Sequence, residues 1–221
     1  MSEIRSRSPN TESGSVTLAL VTCGPQLEVA LSAPSTRGVS LIRLGGVAPR
    51  STLVLAAADL LVEDAGLDPA DLRRIVASRG PGSFTGIRAG LATVAGLAAA
   101  NGAEISAYDS LLMLAARCDA AGEVWAAQPG RRGEVYARHY LIEGRTVPRA
   151  LGEIEIIPIA DAGQRSPWVA AESLDLGGAE RAHTARSSAE ALIHLLALEA
   201  PGDEPEPLYV EGPPIHGTVA G

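Results

Sequence analysis

The apolar residues of the chain fall into runs whose period changes along its length. From Val16 they form short extended stretches: VTLALV, then LEVAL with Leu27, Val29 and Leu31 alternating, then VSLIRL over Val39–Leu44. The turn formers Cys23-Gly24-Pro25 and Pro34-Ser35 separate them, which predicts a three-stranded antiparallel meander. The period then lengthens: residues 51–64 read as a helix stopped by Gly66 and Pro69. A strand near Arg74–Ser78, a glycine-rich loop, a helix to about Ala100 and a strand at 104–107 follow, giving the order βββαβαβ. The second half is expected to carry a helix at 110–118, strands at 123–127, 134–141 and 168–171, and a helix at 187–199. Ser187 and Glu190 of that last helix have capping-box spacing. Residues 1–15 are polar and are expected to form a disordered tail, and the Pro- and Gly-rich stretch from Pro201 is expected to run along the surface.

Two predicted helices have an apolar residue on nearly every side. On a 3.6-residue wheel Ile87, Leu91, Val94 and Ala98 form a core stripe, while Ala89, Ala92, Thr93, Gly96 and Ala100 occupy the opposite face. The helix at 51–64 repeats this, with Leu53, Ala57 and Leu60 in one stripe and Leu55, Ala58 and Val62 in another. Such helices either lie inside one domain's core or meet another subunit, and in a chain of 221 residues two of them fit a protein–protein interface. On that reading an arginine placed at Gly90 or Ala92 would leave the fold intact and block association.

Composition narrows the chemistry. With 46% hydrophobic and 20% charged residues the chain is globular, and a net charge of −8 argues that any contact with nucleic acid needs a partner. All 18 basic residues are arginine, so P-loop, Schiff-base and kinase-type lysine chemistry is excluded. Cys23 and Cys118 are far apart, and His139, His183, His194 and His216 lack the spacing of a helical metal pair, so neither a metal nor another cofactor is expected. The acidic residues between Asp59 and Asp71 read as a solvated surface. No stretch before residue 16 looks like a secretory signal, and the small apolar run 89–100 is shorter than the ~20 residues of a membrane helix. A cytoplasmic protein with no membrane contact is expected.

The most informative segment is R-G-P-G-S-F-T-G-I-R, Arg79 to Arg88, between a predicted strand and a predicted helix. Its loop residues Gly80, Pro81, Gly82, Ser83, Phe84, Thr85, Gly86 and Arg88 allow two readings: a tight, capped connection, or an anion site at a helix N-terminus. Phe84, the one phenylalanine in the chain, stands in this loop. Arg131-Arg132 in GRRGEVY reads as a charged turn or an anion contact.

Val76 to Gly102, VASRGPGSFTGIRAGLATVAGLAAANG, resembles the G-P-G-S-F-T-G-[VIL]-R signature and small-residue helix of the bacterial TsaB family, also called YeaZ. GRRGEVYA at 130–137 and EPLYV at 206–210 support the resemblance. It implies an α/β chain with a duplicated actin-like (ribonuclease H-like) fold of two mixed-sheet subdomains, 16–108 and 109–221. It implies a non-catalytic scaffold or activator of the TsaD-type transferase that makes threonylcarbamoyladenosine in tRNA. The implied partners are a TsaD-like transferase in a heterodimer, a TsaE-like ATPase, a second copy of the chain when alone, and tRNA only through the complex. The two N-terminal helices would form the interface. The chain departs from the family at Val21, where an aspartate is common, at Arg50-Ser51-Thr52 for H-S-E, at Pro129 for an acidic residue, and at Glu211 for an arginine. An ATP-dependent or metallopeptidase-like enzyme of the same fold is the alternative.

Overall fold

The structure is a computed structural model that describes residues 15–46, 50–171 and 173–211. The expected tail at 1–15 lies outside the described residues except for Ser15. The predicted meander is formed by β1 (Thr17–Val21), β2 (Leu27–Ser32) and β3 (Val39–Leu44), paired antiparallel with Leu18 opposite Leu31 and Ala30 opposite Leu41. α1 (Arg50–Asp64) crosses to β4 (Arg74–Ser78), which pairs parallel to β1, and α2 (Phe84–Asn101) crosses to β5 (Glu104–Tyr108), parallel to β4. The sheet order is β3-β2-β1-β4-β5. β1 is buried along its whole length because helices cover both faces of this sheet. α1 packs on β2 and β3 and α2 on β4 and β5, whereas a C-terminal helix, α4 (Ser188–Ala197), packs on β1, β2 and β4.

The second sheet repeats the plan in shorter form. β6 (Gly122–Pro129) and β7 (Glu134–Ile142) make a long antiparallel pair, β8 (Arg149–Ala150) and β9 (Glu155–Pro158) both pair with β7, and β10 (Trp168–Ala170) returns parallel to β6. Where the first half has α1, the second has a 3-10 turn over Ile159–Gln164. α3 (Ser110–Ala115) packs on β6 and β7 and also on α4, so α3 and α4 lie between the two sheets. This is the duplicated actin-like arrangement of two mixed sheets.

Three buried polar groups fasten these layers. Glu28 on β2 ion-pairs with Arg43 at 3.1 Å, and its other oxygen accepts from Ala189 N–H at 2.9 Å, setting a carboxylate at the positive end of α4. Tyr108, at the end of β5, donates its hydroxyl to Ala200 C=O at 2.9 Å, and Trp168 Nε1–H is shared by the carbonyls of Ala162 and Arg165. Each large side chain thus buries its apolar body while its polar end stays satisfied.

The structure corrects several expectations. The core stripe of α1 is Val54, Ala57, Ala58, Leu61 and Val62, and Leu60 is 57% exposed. With apolar residues on both sides the wheel could not choose the buried face. α3 ends at Ala115, and the expected helical residues to 118 form a tight turn closed by Cys118 N–H to Ala115 C=O. β8 and β9 were not expected: two and four residues are too few to show a period. The last helix spans Ser188–Ala197 and carries the expected box, Ser187 Oγ accepting from Glu190 N–H and Glu190 from Ser187 N–H. Residues 109–221 were expected as one C-terminal unit, yet α4 and the stretch after it supply a layer and an edge contact to the first sheet, with Asp203 bridging Ala107.

Gly86 marks the tightest approach in the fold, since a Cβ there would sit 2.1 Å from Thr22 C=O. Gly96, on the same helix, has nothing within 4 Å. Gly86→Ala should destabilise the chain by about 1–3 kcal/mol or more, and Gly96→Ala should stabilise it by about 0.5–1 kcal/mol. Urea unfolding of both variants checks the contrast.

Candidate functional site

The motif loop is built by backbone contacts that its glycines permit. The Gly80–Pro81 peptide bond is cis, and Gly80 and Gly82 have φ of 110° and 147°, which disfavour other residues. A Cβ on Gly80 would meet Leu208 C=O at 2.5 Å, one on Gly82 Cys23 C=O at 2.5 Å, and one on Gly90 Thr22 Oγ1 at 2.2 Å. Three glycines of the α2 end, 82, 86 and 90, therefore let that helix lie directly on Thr22 and Cys23 at the end of β1. Ser83 N–H donates to Cys23 C=O at 2.8 Å, and Ser83 Oγ caps the helix by accepting from Gly86 N–H. Ser110 closes the other side, its N–H donating to Gly80 C=O and its hydroxyl to Pro81 C=O. Of the two readings of this loop, the geometry favours the capped connection.

Gly90 is buried in this contact, so the expectation that it would accept an arginine is overturned. Ala92 lies on the exposed side and remains a valid position.

Beyond the buried glycines the motif turns outward. Phe84 and Thr85 are exposed, as is Arg88. Phe84 stacks on Tyr209 with ring centroids 5.2 Å apart, the Arg88 guanidinium lies 4.0 Å over the Phe84 ring, and Arg88 Nε–H donates to Tyr209 Oη at 3.0 Å. Tyr209 belongs to the stretch after α4, which is tied down along its length. Arg79 pairs with Asp203 at 3.0 Å, Leu208 N–H donates to Arg79 C=O, and Glu211 meets Arg131 at 3.0 Å and accepts from Tyr136 Oη–H at 2.9 Å. The three segments GPGSFTG, GRRGEVY and EPLYV, remote in sequence, meet along this strap.

The small-residue face of α2 continues the exposed surface. Ala92, Gly96 and Ala100 are exposed and Ala89 and Thr93 are half-buried. On α1, Leu55 is 53% exposed, but Ala58 and Val62 are buried at 5% and 3%. Those two form the floor of an open groove of about 280 Å³ between the helices, bordered by Leu55, Leu72 and Leu97. Of the eight expected positions, Leu55, Ala92, Gly96 and Ala100 are exposed, Ala89 and Thr93 half-buried, and Ala58 and Val62 buried. The wheel missed Leu60, and Tyr209 had no assigned role because nothing local in EPLYV shows which helix it will touch.

Between the sheets, below the β1–β2 turn, lies a cavity of about 90 Å³ bordered by Val21, Glu28, Gln128 and Ser188. It is small beside the ~300 Å³ or more of ordinary ligand pockets. Cys23 reaches this region with its thiol donating to Ser78 Oγ at 3.1 Å, and burial pushes the thiol pKa up to about 11. Among the described residues no three of His, Cys, Asp or Glu come together as a metal site.

These features coincide with relatedness to known proteins. The family model for TsaD, tRNA N6-adenosine threonylcarbamoyltransferase, matches residues 39–166. The chain is 37% identical over 91 residues to the tRNA threonylcarbamoyladenosine biosynthesis protein TsaB of Bacillus subtilis strain 168. That match spans 41% of this chain and 40% of the relative's length. Two solved structures from Pseudomonas aeruginosa share the fold. One, an uncharacterized protein with similarity to peptidase YEAZ, has 25% identity and a TM-score of 0.67, covering 90% of this chain and all of that one. The other, YeaZ, has 24% identity and a TM-score of 0.68, covering 89% of this chain and all of that one. The chain belongs to the TsaD family, in its TsaB/YeaZ branch.

Asp109 joins the site to α3. Its side chain caps that helix by accepting from Leu111 N–H at 2.7 Å, and burial raises its carboxyl pKa despite that bond and the nearby Arg138 and Arg79. An acid whose folded pKa is raised holds its proton in the native state after the unfolded chain has lost it. Its contribution therefore favours folding below the unfolded pKa of about 3.9 and falls as pH rises from there through the folded pKa. Asp109→Asn keeps the cap and removes the titration, so its stability curve against pH should fall less over that window than the parent's, as read by thermal unfolding across pH 3–7.

Proposed function

We propose that the chain is a non-catalytic subunit that scaffolds and activates a TsaD-type transferase in the synthesis of threonylcarbamoyladenosine in tRNA. The observation that carries this reading is the α1–α2 surface, where Leu55, Leu60 and the small residues of α2 face outward beside the Phe84–Arg88–Tyr209 cluster. Aromatic and arginine anchors next to a flat, small-residue helix suit a docking face, because a partner helix can approach closely and desolvate them. The relatedness to TsaB names the process, and the TsaD family names the partner's chemistry.

Several features support a supporting rather than a catalytic role. Val21 stands at the end of β1 where the family commonly has an aspartate, and the cavity beside it holds about 90 Å³. With a net charge of −8, the chain meets tRNA through the assembled complex. A TsaE-like ATPase joins that complex, and in the absence of partners the same face pairs two copies of the chain. The setting is cytoplasmic, and no helix among the described residues is long and apolar enough to cross a membrane.

Light scattering on the chain alone and mixed with the TsaD-like protein of the same source tests this. A one-to-one complex replacing a homodimer is expected, burying at least ~1,000 Å². Ala92→Arg should leave the unfolding temperature within a few degrees of the parent and abolish both associations and the gain in transferase activity. A fully active complex containing Ala92→Arg overturns the assignment of this face, and transferase or metal-dependent turnover by the isolated chain overturns the non-catalytic role.

A further inference from the structure

The strap after α4 crosses the molecule without joining the core: no residue from 201 to 211 is buried. Toward its far end Leu208 and Val210 border an open cavity of about 510 Å³ whose other walls include Leu112, Tyr140 and Ile154, so the strap is not packed down onto the second sheet there. A segment with so little packing takes its position from discrete ties. At the near end Asp203 pairs with Arg79 at 3.0 Å and donates its N–H to Ala107 C=O at 2.9 Å. Arg79 also donates to Glu206 C=O at 3.3 Å and accepts from Leu208 N–H at 2.8 Å. At the far end one carboxylate oxygen of Glu211 accepts from both Arg131 Nε–H at 3.0 Å and Tyr136 Oη–H at 2.9 Å. Tyr209 stands between the Leu208 and Glu211 ties.

Tyr209 touches both members of the outward-facing cluster. Its ring stacks on Phe84 at 5.2 Å, and its hydroxyl accepts the one hydrogen bond that the Arg88 side chain makes among the described residues. Phe84 is 44% exposed and Tyr209 38%, so both rings keep a free face. Phe84, Arg88, Ala92, Gly96 and Ala100 recur every four residues along α2 and all five are exposed. They form one ridge, with the aromatic cluster at its head and the small residues along its length.

We propose that the strap positions the anchors of the docking face: Asp203 and Glu211 fix its path, Tyr209 holds Phe84 and Arg88 in one arrangement, and the TsaD-type transferase receives the three as a preformed unit. This rests on the reading of the α1–α2 surface as the face that meets the transferase. Side chains ordered before association lose little freedom when the partner arrives, whereas a loose arginine and a loose phenylalanine have to be immobilised by it. Asp203 and Glu211 are therefore positioning residues that act through Tyr209.

The test is the affinity of the full-length chain for the TsaD-like protein of the same source, read by titration calorimetry, with thermal unfolding of each variant alongside. Tyr209→Ala should weaken association by about tenfold or more, and Glu211→Ala by about threefold to tenfold. Unfolding temperatures should stay within a few degrees of the parent's, because the strap buries no side chain. Glu211→Gln keeps an acceptor for Tyr136 Oη–H and should recover part of the loss. In the double variant Tyr209→Ala with Glu211→Ala the two losses should not add, because Glu211 acts only through Tyr209. Unchanged affinity in Tyr209→Ala, or additive losses in the double variant, overturns the proposal, and if Ala92→Arg still abolishes association the docking face itself stands. Full association of Ala92→Arg removes the face, and the strap's role falls with it.

Discussion

The fold turns on the approach of one helix to the end of one strand. α2 and the loop before it lie so close to Thr22 and Cys23 that Gly82, Gly86 and Gly90 face backbone or side-chain atoms at distances no Cβ tolerates. The contact is bought with glycine's backbone entropy, about 0.5–1 kcal/mol per residue in a helix, and returns a rigid joint between β1, α2 and the motif loop. Everything on the outer surface inherits its position from that joint. Phe84 and Arg88 project outward because Gly82 and Gly86 hold the first turn inward, and the small face of α2 is level because its other face is pinned to the sheet.

The strap after α4 extends that joint across the molecule. It runs from Asp203 beside Arg79, past Tyr209 on Phe84, to Glu211 at Arg131 and Tyr136 of the β6–β7 hairpin, so it connects the first sheet to the second. Single exposed ion pairs are worth little, at most about 1 kcal/mol each. Four contacts spaced along nine residues nevertheless restrict the strap to one path. Glu211 finds Arg131 at 3.0 Å, so the end of the strap is held by a carboxylate on the strap and a guanidinium on the hairpin.

Periodicity made the first half legible because its elements are long and its turns carry Gly and Pro. The meander, both crossover helices and β4 and β5 were expected near their observed bounds. The second half was harder for a physical reason: its strands β8, β9 and β10 are two to four residues long, and a 3-10 turn stands where a full helix would have shown a 3.6-residue period. At the site, the motif loop was recognisable from its own residues. The burial of Ala58, Val62 and Gly90 was not, because an apolar or small residue on a two-faced helix says nothing about which side the sheet will cover. Tyr209 matters through Phe84 and Arg88, more than a hundred residues away, and such convergence leaves no mark on local sequence.

Two surfaces with opposite physical character result, and the fold separates them. The α1–α2 face is flat, poor in charge and made of backbone-proximal small residues, which favours a large rigid partner whose affinity comes from area and a few anchors. The cavity behind the strap is concave, and its arginines face carboxylates, Arg79 on Asp203 at 3.0 Å and Arg138 beside Asp109 at 3.6 Å. Arg79 links them: its carbonyl and guanidinium hold the strap at Leu208, Asp203 and Glu206, and it leads directly into Gly80 of the motif loop.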